Sequence, residues 1–310
     1  MSQPKTTAAN VEPPTAAAIE AQLKPYIVRT MPVASGEWRA LLAPELKLRR
    51  ERYWKRRLLP FRHKESAFTA EMQEAYAKKW DGYDFEHELD PQRQASCIEW
   101  GDTGYLASST VTGRMHVLGM LTVLRQLAPR TVLEVGSGSG TNLLLLSGLC
   151  PEIEFNGLEL TASGVATTQA AASAPILPPG LEKFSVEPPL DRTAYRRINV
   201  VQGSAAALPH DSNAFDLVFS CLALEQMEPI RHQAMAEMAR VSRRWVLMVE
   251  PFREVNATGL RRHYIVGNNY FQGAIADLGR YGLTPRLVFD DWPSKITLKA
   301  ALVLAEKTGK

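Results

Sequence analysis

The sequence contains little cysteine, and this shortage argues against two kinds of site. Three cysteines occur among 310 residues, at Cys97, Cys150 and Cys221. Their number is odd and their spacing matches no metal motif, which argues against a disulfide framework and against a cysteine-based metal centre. We therefore expect reduced thiols, a cytoplasmic location and no bound metal.

Long apolar runs are also absent. No stretch approaches the ~20 apolar residues that cross a bilayer as a helix, so the sequence predicts no transmembrane segment. Residues 1–35 carry five prolines and no compact apolar core. This composition makes a poor secretory signal and predicts a disordered tail. The chain as a whole is 45% hydrophobic and 22% charged, which is ordinary for a globular protein.

Net charge is small, at +3, but the basic residues are clustered. Between Lys47 and Lys64, nine lysines and arginines accompany one acidic residue. Such a run is able to contact phosphates, anionic lipid or an acidic sugar. The alternative is a solvated helix face whose buried side carries the apolar residues of the same stretch, namely Leu46, Tyr53, Trp54 and Leu58.

Hydrophobic spacing divides the rest of the chain into two parts. Residues 36–112 follow a mainly helical pattern, interrupted at Pro60, and we interpret them as an N-terminal helical extension on the substrate side. From residue 113 to 310, short apolar strands alternate with helices. This alternation predicts an α/β, Rossmann-like fold with a seven-stranded, mostly parallel sheet. The last two strands are separated by the short DDWPSK connection, so the final strand must pair antiparallel.

A proline-rich insertion, residues 173–196, separates the second helix of this domain from its third strand. In such folds, ligands bind at the carboxyl ends of the strands. A connection from a helix to a strand lies at the opposite edge of the sheet. We therefore expect an interface or stability element there rather than an active-site lid.

The stretch TVLEVGSGSGTNLLLL, residues 131–146, places a glycine-rich turn between a strand and a helix. Glycines let the backbone approach a ligand, and the free N–H groups of the helix point at it. No lysine follows the glycines, which excludes a P-loop. A dinucleotide site needs a third glycine three residues after the second, and that position is Thr141. The glycines instead alternate, at Gly136, Gly138 and Gly140.

This spacing resembles motif I of the class I S-adenosylmethionine-dependent methyltransferases, and the resemblance continues in order through residues 114–307. FNGLEL carries Glu159 at the end of the second strand, VVQGSAAALP resembles the segment near the adenine, and RWVLMVEPF resembles the fifth strand. The similarity is to the ubiquinone and small-molecule branch. It implies S-adenosyl-L-methionine as cofactor, with Glu159 on the ribose hydroxyls. The cofactor residues that it implies are Glu134, Gly136, Ser137, Gly138, Gly140, Asn142, Glu159, Leu160, Ser204, Ala205 and Ser220.

Two positions depart from the pattern of this family. Many relatives carry an aspartate at Ser204, where it accepts from the adenine amino group. Many relatives in the ubiquinone branch carry a histidine near Glu225 and Gln226, and this chain has none there. The first departure weakens the adenine contact, and the second leaves the catalytic base unassigned by the resemblance.

The acceptor side is predicted from the loops at the carboxyl ends of later strands and from the N-terminal helices. His263 is the candidate base because its ordinary pKa lies near 6.5, and His116 is a second histidine that could reach the pocket. The candidate substrate-binding residues are Tyr105, Arg114, Glu225, Arg253 and Tyr264.

The implied reaction is an in-line transfer of methyl from a sulfonium to a nucleophile, in which positioning supplies most of the catalysis. The arginine-rich stretches favour O-methylation of a small-molecule or glycan acceptor that carries negative charge. RNA methylation and N-methylation of a small amine remain alternatives, with nucleic acid the less favoured partner because no RNA-binding module is visible. A non-catalytic binder of the cofactor is a further alternative, and a second copy of the chain is a further candidate partner.

Overall fold

A computed structural model of the chain describes residues 10–58, 70–92 and 94–308. The helices in these ranges are α1 (Ala16–Leu23), α2 (Gly36–Leu58), α3 (Ala70–Trp80), α4 (Phe85–Glu88), α5 (Val111–Leu127), α6 (Thr141–Leu149), α7 (Ala162–Ser173), α8 (Pro179–Phe184), α9 (Arg231–Val241) and α10 (Gly259–Asn268). The strands are β1 (Ile27–Pro32), β2 (Ala95–Trp100), β3 (Thr103–Ser108), β4 (Thr131–Val135), β5 (Glu154–Glu159), β6 (Asn199–Gln202), β7 (Phe215–Cys221), β8 (Ser242–Glu250), β9 (Leu283–Phe289), β10 (Ser294–Lys295) and β11 (Ala301–Lys307).

Seven strands form the larger sheet, in the order β6-β5-β4-β7-β8-β11-β9. Strands β4 to β8 pair in parallel, whereas the last strand, β11, runs antiparallel to both β8 and β9. The predicted Rossmann-like fold with an antiparallel last strand is confirmed. The two central strands β4 and β5 have the bounds that their apolar runs predict.

The central strands are buried on both faces because apolar layers cover each side of the sheet. On one side, Leu217 and Phe219 pack in a cluster with α5 and α6 residues such as Leu124 and Leu146. On the other, Val218 packs in a cluster with α9 residues. The strands therefore read as continuous apolar runs rather than alternating ones, as is typical of a parallel sheet. The carboxyl ends of β4, β5 and β7 meet at one edge, where ligands bind in folds of this kind.

A second, four-stranded sheet in the order β1-β3-β2-β10 lies outside the prediction. Strands β2 and β3 pair in an antiparallel hairpin. The sheet is completed by distant segments: β1 pairs with β3, and β10, within the DDWPSK connection, pairs with β2. The extension at 36–112 is therefore helical only in part. Pairing with the distant strands β1 and β10 stabilises the hairpin within this extension.

The predicted disordered tail is wrong for its described part, residues 10–35. Helix α1 begins after Thr15, whose hydroxyl accepts the N–H of Ala18 at 3.2 Å, and β1 follows. Ile19 and Leu23 are buried in the main core. Two well-placed apolar residues hold this segment despite its proline content. Residues 1–9 of the predicted tail lie outside the described residues, as does the predicted break at Pro60.

The proline-rich insertion at 173–196 contains the short helix α8, with Leu181 and Phe184 buried in the core. Near the chain's end, a 3-10 helix spans Ile275–Tyr281. The preceding helix α10 was not predicted. Within the described ranges, no helix combines the length and apolar character that crossing a membrane requires.

Candidate cofactor cavity and acceptor pocket

A cavity of about 380 Å³ opens at the carboxyl ends of β4, β5 and β7. Its walls come from the glycine-rich turn, from the loop that follows β7, and from α3 and the segment just after it. The lining residues on the sheet side are Glu134, Gly136, Ser137, Gly138, Ser139, Thr141, Asn142, Leu158, Glu159, Leu160, Gly203, Ala205, Cys221, Leu222, Ala223, Glu225, Gln226 and Met227. Those from the N-terminal extension are Tyr76, Lys79, Trp80, Tyr83 and Leu89.

The three alternating glycines are required by the backbone of the turn. Gly136, Gly138 and Gly140 have φ of +79°, +56° and +76°, in the left-handed region that favours glycine. Neighbouring residues also leave no room for a side chain at Gly136, since a Cβ there would lie 2.6 Å from the Cβ of Ala223. Gly140 ends the turn and precedes the first residue of α6. The turn therefore brings backbone N–H groups to the cavity wall without side chains of its own at these positions.

Glu159 is held at the end of β5 by a network of hydrogen bonds. One carboxylate oxygen, Oε2, accepts the N–H of Gly138 at 2.9 Å. The other, Oε1, accepts the N–H and the hydroxyl of Thr161, at 3.0 and 2.8 Å. The residue is 5% exposed and lines the cavity. A carboxylate has about four acceptor sites, so capacity remains for a ligand's hydroxyl groups.

Glu134 presents an unpaired acceptor to the same cavity. Its Oε1 accepts from the side-chain amide of Asn142 at 2.7 Å, while its Oε2 has no hydrogen-bond partner in the structure. Burial raises the pKa of Glu134 to about 8. Buried acceptors are normally satisfied, so the unpaired oxygen fits a ligand that carries a positively charged donor.

Helix α3 closes the cavity from the outside, and none of its residues was among the predicted site residues. The hydroxyls of Ser163 and Thr167, both on α7, donate to the carbonyls of Ala77 and Trp80 at 2.9 and 2.8 Å. The ammonium of Lys79 lies 4.4 Å from the centroid of the Trp80 ring. The concentration of Tyr, Lys and Trp in YAKKWDGY is the one local signal that could have marked this segment.

Glu225 forms the far side of the cavity, after the end of β7. Its Oε1 accepts from the side-chain amide of Gln226 at 3.0 Å, and its Oε2 has no partner among the residues that the structure describes. Burial raises its pKa, against the opposing charges of Lys79 and Lys295. Burial in turn lowers the pKa of each lysine. Lys79 lines the cavity beside Glu225, and Lys295, on β10, is a second cation whose charge acts on the same carboxyl group.

The loop carrying Glu225 is fixed by a second carboxylate. Glu250, at the end of β8, accepts the backbone N–H groups of Ala223 and Leu224, both at 3.1 Å. It is fully buried, and burial raises its pKa to about 8. Leu222 adopts a φ of +50°, which is strained for a residue with a side chain. The hydrogen bonds of Glu250 stabilise that sharp turn.

Most of the predicted cofactor residues are brought together by the structure. Those lining the cavity are Glu134, Gly136, Ser137, Gly138, Asn142, Glu159, Leu160 and Ala205, and Glu225 joins them from the predicted acceptor set. Ser204 does not line it, and its hydroxyl accepts the N–H of Ala206 at 3.2 Å. Ser220 is fully buried in β7, one residue before the lining begins at Cys221.

The predicted base, His263, is misplaced for that role. It lies on α10, where its ring packs 4.7 Å from the ring of Tyr53, and it does not line the cavity. Tyr264 also lies outside the lining, beneath the guanidinium of Arg49 at 4.6 Å. Tyr264 is nevertheless near Tyr76, which lines the cavity, and contributes to the raised pKa of that residue after burial and other neighbours. Helix α10 was not predicted, so the direction of these side chains could not be derived from sequence.

Arg114 is misplaced for substrate binding. Its Nη1 donates to the carbonyls of Lys183, Phe184 and Ser185, at 3.0, 2.5 and 2.7 Å. It therefore binds the C-terminal end of α8 rather than a ligand. Arg253 is exposed and does not line the cavity.

Two further candidates also lie outside the cavity lining. Tyr105 pairs across the small sheet with Ile98, which pairs in turn with Lys295. Tyr105 packs against the main core. His116 is buried beside Trp292, at 5.4 Å between ring centroids, and burial lowers its pKa to about 3.

Comparisons with known proteins agree with this geometry. Residues 133–245 match the family described as a methyltransferase domain. A search of curated proteins found no match. Among solved structures, the chain is similar to the YcgJ protein of Bacillus subtilis, with 17% identity, a TM-score of 0.44, and coverage of 63% of this chain and 99% of that one. The chain is also similar to a methyltransferase from Methanosarcina mazei, with 14% identity, a TM-score of 0.45, and coverage of 58% of this chain and 93% of that one. A third similar structure is a geranyl diphosphate C-methyltransferase from Streptomyces coelicolor. It has 9% identity and a TM-score of 0.47, and the match covers 78% of this chain and 100% of that one.

The matched family and the glycine-turn cavity define a class I methyltransferase domain. The chain is an S-adenosylmethionine-dependent methyltransferase. The residues present fit this cofactor, since Glu159 has acceptor capacity for ribose hydroxyls and Glu134 has an unpaired oxygen suited to the ammonium of the methionine moiety. When bound, the cofactor supplies an electrophilic methyl group.

Proposed function

We propose that this methyltransferase acts on a hydroxyl group of a small anionic acceptor, such as an acidic sugar, and forms a methyl ether. The observation that carries the proposal is the presence of Glu225, with its unpaired Oε2, and Lys79 in the lining of one cavity. Lys295, on β10, adds a second positive charge that acts on the same carboxyl group from outside the lining. A carboxyl group with an unpaired oxygen supplies a base, and two partly desolvated cations supply attraction for an anion. Charges in a water-poor site interact more strongly than in bulk water.

Glu225 takes the role of general base in this proposal. A hydroxyl acceptor must lose its proton during transfer, and a base works best when its pKa lies near the working pH. Burial raises the pKa of Glu225 in that direction. Its unpaired Oε2 accepts the acceptor's proton. Glu225 thus replaces His263, which does not line the cavity.

Lys79 and Lys295 bind the anionic group of the acceptor and hold its hydroxyl near Glu225. Tyr76 lines the same wall, and burial raises its pKa, so its hydroxyl remains protonated and acts as a hydrogen-bond donor. Orientation of this kind contributes much of the rate in a displacement whose leaving group is already good.

The test uses the full-length protein, cofactor labelled in the methyl group, and an extract of the cells that make the protein. Labelled product is expected among small molecules that bind an anion exchanger. An ether survives mild alkali, so the label is expected to persist. Label released by alkali indicates a methyl ester, and label in a basic product indicates an amine acceptor. Label sensitive to ribonuclease indicates RNA. Each of these three results contradicts the proposal.

Matched variants locate the chemistry. Glu225→Gln keeps size and polarity but cannot take a proton, and we expect a loss of transfer of about a hundredfold or more. Binding of S-adenosylhomocysteine is expected to remain, which separates a missing base from a lost cofactor site. Lys295→Met is expected to weaken acceptor binding more than the maximal rate.

A further inference from the structure

Among the residues that the structure describes, helix α2 contacts the rest of the protein through one face. Trp38 is 1% exposed and packs on Gly104. Arg49 lies over the ring of Tyr264, and Tyr53 contacts the ring of His263. These residues define the inner face of the helix.

The outer face of α2 combines exposed apolar side chains with cations. Trp54 is 47% exposed and Leu58 is 70% exposed. The two are four residues apart, so they lie together on one side of the helix. The expectation that Trp54 and Leu58 form the buried side of a solvated helix is therefore wrong, because Trp38, Arg49 and Tyr53 set which side is buried.

Positive charge surrounds this apolar pair. Arg50 lies four residues before Trp54 and Arg57 three residues after it, so both share its face. Both are exposed, as are Lys47 and Lys55. Glu51 is the acidic residue on the same side. The long aliphatic stems of arginine and lysine let apolar atoms approach a hydrophobic layer while the charged ends reach outward.

We propose that the outer face of α2, defined by Lys47, Arg50, Trp54, Lys55, Arg57 and Leu58, docks on the surface of an anionic lipid bilayer. Helices that lie in a membrane interface present Lys and Arg beside Trp and Leu, and both features are exposed here. Anionic headgroups attract each such cation within a Debye length of the surface. Tryptophan is well suited to the headgroup level because its ring is apolar and its N–H is polar.

Charge complementarity favours a bilayer over the other occupants of such a face. In a two-fold dimer through α2, the same positive patch would face itself, and like charges would repel. Single-stranded RNA is held chiefly by several aromatic side chains that stack on successive bases, whereas the outer face of α2 offers Trp54 with leucines. The apolar residues here fit acyl chains better than bases.

Docking would also orient the active site. The inner face of α2 contacts α10 through Arg49 and Tyr264, and Tyr264 lies close enough to Glu225 for that carboxylate to raise its pKa. Helices α2 and α10 would therefore lie between the lipid layer and the Glu225 side of the cavity. This orientation does not depend on which acceptor is methylated.

The test measures co-sedimentation of the full-length protein with vesicles. The probes are phosphatidylcholine alone and phosphatidylcholine with about 30 mol% phosphatidylglycerol, at about 50 mM and about 500 mM salt. Binding is expected only to the anionic vesicles and is expected to fall at high salt. Equal binding to neutral vesicles, or no binding to anionic ones at low salt, overturns the proposal.

Two double variants test whether vesicle binding depends on the outer face of α2 or only on the net charge of the protein. Arg50→Glu with Arg57→Glu is expected to weaken binding about tenfold or more. Lys24→Glu with Arg130→Glu changes the net charge equally at exposed positions outside α2 and is expected to bind like the unaltered protein. Equal loss in both pairs overturns the proposal. Retained affinity for S-adenosylhomocysteine shows that each variant is folded.

A third variant and two further measurements complete the design. Trp54→Ala with Leu58→Ala keeps every cation, and a weaker binding to anionic vesicles is expected because apolar contact is lost. If the Arg50 and Arg57 pair instead abolishes binding to a single-stranded RNA while vesicles never bind, RNA is the occupant. If the pair converts a dimer to a monomer in sedimentation, a second copy is the occupant. Either result contradicts the proposal that the outer face of α2 docks on a bilayer.

Discussion

The indole of Trp80 lies directly over the backbone of Gly138, so close that a Cβ at Gly138 would come within 2.8 Å of Cζ2 of Trp80. The glycine turn and α3 are far apart in the chain, yet together they form opposite walls of one cavity. We expect Trp80→Ala to weaken binding of S-adenosylhomocysteine about tenfold, because an aromatic wall of the cavity is removed. Isothermal calorimetry measures the change. Trp80→Phe keeps a ring and is expected to lose less; an unchanged affinity in Trp80→Ala contradicts a role for this wall.

Gly138 offers a second test of the same contact. Gly138→Ala is expected to weaken cofactor binding severely, both because its φ is +56° and because the added methyl meets Trp80. Gly279→Ala is the matched control, since a Cβ there meets nothing within 4 Å. Combining Gly138→Ala with Trp80→Ala relieves the clash but not the φ strain. Full recovery of binding in the double variant would show that backbone conformation is unimportant here.

Features that depend on residues close together in the sequence were predicted, and features that depend on distant residues were not. Strands β4 and β5, the glycine turn and the place of Glu159 at the end of β5 were predicted correctly, because apolar runs and a strand–turn–helix pattern extend over only ~30 residues. The small sheet could not be predicted because β10 pairs with β2 across nearly two hundred positions. Trp80 and Lys79 reach the cavity through contacts between α3 and α7, which no local pattern encodes.

Arg114 and His263 lie outside the cavity lining for a common reason. Arg114 was expected at the ligand, and the carbonyl groups of α8 bind it instead. His263 was expected to act as the base, and α10 turns it toward Tyr53. A titratable side chain that is close to the site residues in the sequence can still point in many directions in the fold. The direction is decided by tertiary packing, in these cases by helices α8 and α10.

Protonation of Glu134 is expected to make cofactor affinity depend on pH. Burial raises the pKa of Glu134 from 4.5 to about 8, and the positively charged amino group of the ligand requires the ionised form. Affinity for S-adenosylhomocysteine should therefore rise about tenfold between pH 6.5 and pH 8, since ionisation must precede binding. Calorimetry in buffers of different ionisation enthalpy should detect proton release. Glu134→Gln should bind more weakly and lose most of this pH dependence.

The same carboxyl group is expected to influence the stability of the cofactor-free protein. Because the pKa is higher in the folded state, the folded protein holds the proton more tightly. This contribution to the free energy of unfolding is fully present below about pH 4.5 and is lost as the pH rises toward 8. Urea unfolding at several pH values measures it. A steeper fall in Glu134→Gln than in the unaltered protein would contradict this assignment.

Glu250 is expected to act by positioning the loop that carries Glu225. Glu250→Ala leaves the N–H groups of Ala223 and Leu224 without their acceptor, and this should lower the free energy of unfolding by about 2–3 kcal/mol. Ala223 packs on Gly136, so cofactor affinity should fall as well. Glu250→Gln retains an oxygen acceptor and should restore both properties in large part. Equal defects in the two variants would show that the charge, rather than the hydrogen bonds, is what matters.

Arg114 is expected to contribute to stability and not to ligand binding. Arg114→Met keeps most of the side chain's volume but leaves the carbonyls of Lys183, Phe184 and Ser185 unpaired, so the free energy of unfolding should fall by about 2–4 kcal/mol. Arg125→Met is the matched control on the same helix. Arg125 pairs with Glu187 at a partly exposed site, and such pairs contribute about 1 kcal/mol or less.

Urea unfolding gives the two stabilities, and calorimetry gives the affinity for S-adenosylhomocysteine. Because Arg114 does not line the cavity, that affinity should change by less than about twofold, well under the tenfold that corresponds to 1.4 kcal/mol. The expectation from sequence, in which Arg114 binds ligand, requires the opposite result: a large loss of affinity with little loss of stability. The two measurements on one variant therefore separate a helix-end anchor from a binding residue.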